Sequence, residues 1–284
     1  MKQLGILLFA CTLVVSIDAH AQPQAPNENL DPNFIFHPNN LMRNSEDLSA
    51  IYGVMAQYYE GVELGKADLL KTVFHTEWQM RDTGTPDEAT LHIADKNNFV
   101  NMVRDHGPYP GYASERVFAH VGMANDNLAF VRINKAPSRS STCFYLYKLN
   151  QGWTIMDKLW VPVREAAKLA PTSESYHAVE MLLHTYFEAL AVADTQVLSD
   201  MLHPEWDSKT IDREGKLSTV SKAALLQNPK TKQIDFTQLL SIDLYHDKLA
   251  IVRIDIPSQN STSFITIFKI DGNWIITNER RTTN

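Results

Sequence analysis

Thiols are almost absent from this chain: of its 284 residues only Cys11 and Cys143 are cysteine. Paired CxxC motifs, an HExxH motif and His-rich tracts are all missing, so no metal-ligating pattern is present and no metal is expected. No GxGxxG or Walker-type glycine loop occurs, which removes the sequence support for a bound nucleotide, and no other cofactor is implied. Long runs of one charge are lacking as well. With a net charge of -7 and no basic stripe, nucleic acid is excluded as an expected partner. Apolar residues make up 44% and charged residues 21% of the chain, an ordinary globular balance that argues against global disorder.

The longest apolar run, Leu4 to Ile17, falls short of the roughly 20 residues that span a bilayer. It follows Met1-Lys2 and precedes Ala19-His20-Ala21, the layout of a signal peptide cleaved after Ala21, so 1–21 is expected to be a leader and the chain to be periplasmic or secreted. Lipidation at Cys11 is disfavoured by the bulky Phe9 before it and the apolar residues beyond it. Loss of the leader leaves Cys143 as the single thiol, so no intrachain disulfide forms and packing must supply stability. Residues 22–44, rich in Pro and Asn, read as a disordered tether.

Beyond Ser45 the chain repeats itself. Tyr58-Tyr59, Leu70, His75, Glu77 and Trp78 return 128 residues later as Tyr186-Phe187, Leu198, His203, Glu205 and Trp206. Leu128-Ala129-Phe130-Val131-Arg132-Ile133 returns as Leu249-Ala250-Ile251-Val252-Arg253-Ile254, and Ser141-Thr142-Cys143-Phe144 is matched to Ser261-Thr262-Ser263-Phe264. These collinear copies imply a duplication, with domains over 45–161 and 173–284 joined by a linker at 162–172.

Each copy opens with a helix whose apolar residues recur at steps of three and four: Leu48, Ile51, Met55, Tyr58 and Val62, then Tyr176, Val179, Leu183, Tyr186 and Leu190. Ser45 and Ser173, each followed by a glutamate, mark the helix starts. Second helices are predicted over Asp68 to His75 and Gln196 to His203, third ones over Asp95 to Arg104 and Ser221 to Gln227. After them come four β-prone runs per copy, from Ser114 to Val161 and from Phe236 to Arg281, separated by Asn-, Asp- and Gly-rich turns. The fold class is α+β: two cone-shaped domains, each with N-terminal helices packed on a curved, mainly antiparallel sheet.

The phrases Phe74-His75-Thr76-Glu77-Trp78 and Tyr145-Leu146-Tyr147-Lys148-Leu149-Asn150-Gln151-Gly152-Trp153, with their second-copy counterparts around His203-Pro204-Glu205-Trp206 and Asp271-Gly272-Asn273-Trp274, resemble the nuclear transport factor 2-like superfamily. Among its branches the chain looks most like the SnoaL-like and lumazine-binding proteins. That resemblance implies a sheet bent into a cone whose open end can hold a small apolar or aromatic molecule. It leaves three functions open: a ligand-binding or accessory protein, an isomerase, dehydratase or cyclase acting in the first copy, and a structural interaction module. Members often pair through their sheets, so the two copies are expected to form a pseudo-dimer within the chain, with further homo-oligomerisation open.

A reaction in such a cone would need a carboxylate or imidazole facing a hydroxyl, for which Asp157, His75 and Tyr58 are the candidates. His75 and His203 read either as acid-base groups or as helix-end caps. For ligand contact the candidates are Tyr58, Tyr59, Trp78, Phe130, Arg132, Tyr186, Trp206 and Arg253. The aromatics read equally as core, and the two arginines read as anion-selecting groups or as residues of the boundary between sheets. Cys143, mid-strand and with no base nearby, reads as a buried inert thiol.

Overall fold

The computed structural model describes residues 45–83, 90–112, 116–135, 140–162, 172–229, 240–256 and 260–283. The expected leader, the tether and most of the linker lie outside these residues.

The first repeat runs α1 (Ser45–Glu63), α2 (Ala67–Val73), β1 (Phe74–Asp82), β2 (His92–Asp95), α3 (Lys96–His106), β3 (Arg116–Ala124), β4 (Leu128–Lys135), β5 (Ser140–Leu149) and β6 (Gly152–Pro162). The second repeats that order as α4 (Ser173–Val192), α5 (Thr195–Met201), β7 (Leu202–Ile211), β8 (Leu217–Ser221), α6 (Lys222–Gln227), β9 (Leu240–Tyr245), β10 (Leu249–Ile256), β11 (Ser261–Ile270) and β12 (Asn273–Thr283). Each repeat forms a six-stranded sheet, ordered β2-β1-β6-β5-β4-β3 and β8-β7-β12-β11-β10-β9. Hairpins make every pairing antiparallel except β1 with β6 and β7 with β12, whose partners are far apart in sequence and run parallel.

Two strands replace what the sequence reads as helix ends. Phe74 already has extended backbone angles, φ -92° and ψ 137°, so α2 stops at Val73 and His75 and Trp78 belong to β1. His203 and Trp206 likewise lie on β7. Helix starts shift as well. Thr172, not Ser173, caps α4, its Oγ1 accepting from the Ser175 amide at 3.1 Å. Asp95 and Ser221 cap α3 and α6 in the same way.

A bulge in β6 positions everything that follows. Tyr145 pairs with Asp157 but Leu146 pairs with Ile155, so Met156 is an extra residue opposite that step. A bulge bends its strand and breaks the alternation of faces. Ile155 therefore packs in the helix-covered core, Met156, Leu159 and Val161 pack on the opposite face, and Lys158 and Trp160 return to the helix side. Strand β12 carries the equivalent irregularity at Thr277, between Thr266 and Ile267 of its partner.

Three cores result. One lies inside each cone, built from the stripe of α1 or α4 against the concave sheet. The third combines residues of both sheets, among them Phe130, Cys143, Tyr145, Leu159, Tyr245, Ile251, Phe264 and Phe268. Phe130 stacks on Phe264 with ring centroids 5.7 Å apart, and the Tyr145 hydroxyl lies 3.1 Å from Thr266 Oγ1. Central strands are thus covered on both faces, which is why β5 and β11 read as near-continuous apolar runs rather than alternating ones. The ladder also corrects the repeat alignment. Cys143 stands opposite Arg132 and Phe264 opposite Arg253, so Phe264, not Ser263, is the counterpart of Cys143.

Candidate functional site

The first cone encloses a cavity of about 480 Å³ between α1, α3, the 107–112 segment and the strands β1, β5 and β6. Its walls are largely apolar: Val62 from α1, Met80 from β1, Phe99, Met102 and Val103 from α3, and Trp160 from β6. The polar side chains among its described lining residues include Lys158, Thr142, His106, Tyr109 and Tyr112. A concave, mostly apolar site with a few polar anchors is the usual form of a small-molecule pocket.

The mouth segment is pinned to the end of α1. Tyr109 donates its amide to the Glu63 carbonyl at 2.9 Å, and the Gly111 amide reaches Glu63 Oε1 at 3.3 Å. Gly65 makes this approach possible: its φ is +65°, and a Cβ there would lie 2.8 Å from the Gly107 carbonyl carbon. Aromatic rings extend the mouth inward. His106 stacks on Tyr109 at 5.0 Å, Tyr109 meets Tyr112 edge-on at 5.8 Å, and Tyr112 packs on Tyr59 at 5.7 Å. The Tyr112 hydroxyl lies 3.0 Å from that of Tyr58, deep in the cone.

Lys158 is the charged group of the cavity wall. It is 6% exposed, and its Nζ lies 4.9 Å from the Phe99 ring centroid and 5.9 Å from that of Tyr58. Ring faces attract a cation, so these contacts compensate part of the cost of burying the ammonium.

The second cone is built differently at the matched positions. Where the first has Val62, Met80, Thr142, Lys158 and Trp160, the second has Leu190, Ser208, Ser263, Glu279 and Arg281. Its cavity is about 30 Å³, lined by Tyr186, Phe187, Leu190, Glu279 and Arg281 among others. That space is of the order of a single water molecule. Polar groups there satisfy one another: Ser208 donates to Glu279 at 3.5 Å and Arg281 to Ser261 at 3.1 Å.

The catalytic candidates do not converge. Tyr58 faces the first cone, but the bulge turns Asp157 to the other side of the sheet. There Asp157 is fully buried and accepts from Arg280 Nε at 2.5 Å, Arg280 Nη2 at 2.7 Å and Arg81 Nη1 at 2.9 Å. Asp207 takes Arg81 Nη2 at 2.7 Å and Arg280 Nη2 at 3.0 Å, with Lys209 at 3.3 Å. Burial alone would raise the Asp157 carboxyl, but Arg280, Lys209 and Arg81 overcome it and hold the group below its ordinary value. Asp207 is held down by the same guanidinium charges against the same opposing burial. This five-membered cluster joins the repeats.

His75 is half-buried on β1, its Nδ1 accepting from the Glu77 amide at 3.1 Å, and His203 repeats the arrangement with Glu205. Burial lowers both imidazoles. Neither caps a helix, and their rings are spent on a local turn of the strand. Tyr59 and Trp78 are buried in the first core, Tyr186 and Trp206 in the second. Phe130, Arg132 and Arg253 face the boundary between sheets, the alternative already open for the arginines. Arg132 sits 5.8 Å above the Tyr245 ring, and Arg253 pairs with Asp255 at 3.1 Å. Burial pushes the Cys143 thiol up to about 12, which keeps it protonated and inert. Lys158, Thr142, Trp160, Met80 and the 107–112 segment were not singled out in the sequence, since no local signal marks the bulge that turns Lys158 inward.

Two six-stranded sheets, each covered by helices and one bordering a ligand-sized cavity, define a tandem α+β cone-fold protein. The chain belongs to the family described as "Putative lumazine-binding", whose model matches residues 46–161 and again 174–280. Among solved structures it is similar to a nuclear transport factor 2-like protein of unknown function from Shewanella baltica OS155, at 18% identity over 42% of this chain and 94% of that one, TM-score 0.35. Another such protein, from Silicibacter pomeroyi DSS-3, matches at 16% identity over 42% of this chain and 98% of that one, TM-score 0.35. A ketosteroid isomerase-like protein from Erwinia carotovora atroseptica matches at 13% identity over 43% and 100% of the chains, TM-score 0.31. No curated protein matches the sequence. Among the described residues no helix is long and apolar enough to cross a membrane.

Proposed function

We propose that this chain is an exported small-molecule-binding protein that holds a small apolar or aromatic ligand in its first cone, while the second cone is a closed structural half. The observation that carries this reading is the contrast between matched cavities of about 480 and about 30 Å³ within one chain. The family's description as lumazine-binding points the same way. Binding is favoured over catalysis because the described residues that line the cavity include no carboxylate, and Asp157 is committed to Arg280 and Arg81 on the far face. The large buried boundary between sheets supports a permanent intramolecular pairing of the repeats. Export rests on the leader-like segment ending at Ala21.

Two measurements test the reading. Native mass spectrometry of the protein purified from its own host should show a co-purifying small molecule. Met80→Trp, which fills the first cavity from β1, should remove it, whereas Ser208→Trp in the second cone should not. A ligand retained by Met80→Trp would refute the assignment to the first cone.

A further inference from the structure

We infer that the ligand of the first cone is an apolar molecule bearing one carboxylate, and that this carboxylate pairs with the Lys158 ammonium. The inference rests on the binding reading above and specifies its chemistry. Lys158 is 6% exposed and lines the cavity, and its Nζ has no hydrogen bond or ion pair with any described residue. Its compensation is the ring faces of Phe99 and Tyr58. A buried ammonium left with π faces alone keeps a large part of its desolvation penalty, and an anion placed in the cavity removes it.

The rest of the lining sets the remainder of the ligand. Among the described residues that line the cavity, Lys158 and the His106 imidazole at the mouth are the only side chains that can carry positive charge, so one anionic group is matched and further ones would go unpaired. Thr142 from β5 and Tyr112 from the mouth also line the cavity, and their hydroxyls can donate to the second carboxylate oxygen. Met80, Phe99, Val103 and Trp160 leave only apolar contact for everything else. The second cone supplies an internal comparison. At the Lys158 position it carries Glu279, which accepts from Ser208, and its cavity is closed. An unpartnered charge and an open cavity thus occur together in one repeat and are absent together in the other.

The experiment uses the full chain freed of co-purifying ligand and titrates it calorimetrically with decanoate and 1-naphthoate, each against its neutral alcohol, decanol and 1-naphthylmethanol. At least one acid should bind about tenfold or more tightly than its alcohol, as a charge-assisted hydrogen bond predicts. Lys158→Met should abolish that preference, and Lys158→Arg should restore it. Unchanged thermal unfolding of both variants shows that they fold. Acids and alcohols that bind equally to the wild type, with Lys158→Met indistinguishable, would overturn the carboxylate and leave the cavity reading standing. Failure of all four probes, together with no co-purifying molecule, would overturn both.

Discussion

Replacing Asp157 by Asn is the most informative single perturbation of the buried cluster, because it removes a charge without opening a cavity. In the wild type three cations, Arg81, Lys209 and Arg280, share two carboxylates, Asp157 and Asp207. Both guanidinium groups and the Asp157 carboxylate are fully buried, so solvent offers them little screening. The variant leaves three cations facing Asp207 alone and weakens three hydrogen bonds of 2.5, 2.7 and 2.9 Å. Uncompensated buried charge of this kind costs about 3–5 kcal/mol. Arg280→Leu on the same background removes the excess cation and introduces the residue type that the first repeat carries there, Leu159; it should recover about 2 kcal/mol or more. Urea unfolding followed by tryptophan fluorescence and circular dichroism reads the change as a shift in midpoint at constant slope. Linkage adds a second readout. The Asp157 carboxyl is depressed in the folded state, so its stabilisation is complete above the ordinary carboxylate value and is lost as pH falls below it. The variant should therefore be less acid-sensitive below about pH 4 than the wild type. A cost under about 1 kcal/mol, with Arg280→Leu merely additive, would refute the view that the repeats are locked by charge.

Burial, with Arg132 and Arg253 nearby, lowers the His120 imidazole to about 4, so its folded state stays neutral while the unfolded chain gains a proton; stability is lost as pH falls from about 6.5 to 4, by up to about 3 kcal/mol. His120→Asn should flatten the thermal midpoint across that window, and an unchanged slope would show that His120 is protonated in the fold. Gly65→Ala forces a φ of +65° on a side chain and drives its Cβ against Gly107 and Pro108, which should cost about 1–3 kcal/mol. Because that contact pins the 107–112 mouth, calorimetry should also show weaker binding of the acid probe, and unaltered affinity would separate the mouth from the site.

Duplication was legible because its markers are large side chains at fixed order, and their places in the structure explain why they survive in both copies. Tyr58 and Tyr186 fill the centres of the two cones, Trp78 and Trp206 the floors, and Trp153 and Trp274 the last hairpins. Helical stripes were equally plain, since α1 and α4 bury one face only. The strands β1 and β7 were not. Each begins on the residue after a helix with no glycine or proline between them, and His75-Thr76-Glu77 is too polar to announce a strand. The one-residue slip that matched Cys143 with Ser263 came from repeated serines and threonines, which satisfy two registers equally well; only the opposing arginines decide between them.

The candidate site turned on something finer than any of these. Strict alternation from Ile155 would place Asp157 inside the cone and Lys158 outside. Met156 reverses that parity by one residue. The same irregularity in β12 sends Asn278 outward and Glu279 inward, so both repeats use the bulge to divide one strand between two tasks. Outward residues after the bulge hold the sheets together, and inward ones decide what a cone can contain. Since the faces alternate, the two sets are independent: the second repeat carries Arg280 at the boundary and Glu279 and Arg281 in its cone, while the first carries Leu159 outward and an open cavity beside Lys158. Division of labour between the copies therefore needs no change of fold, only different residues on opposite faces of a single strand.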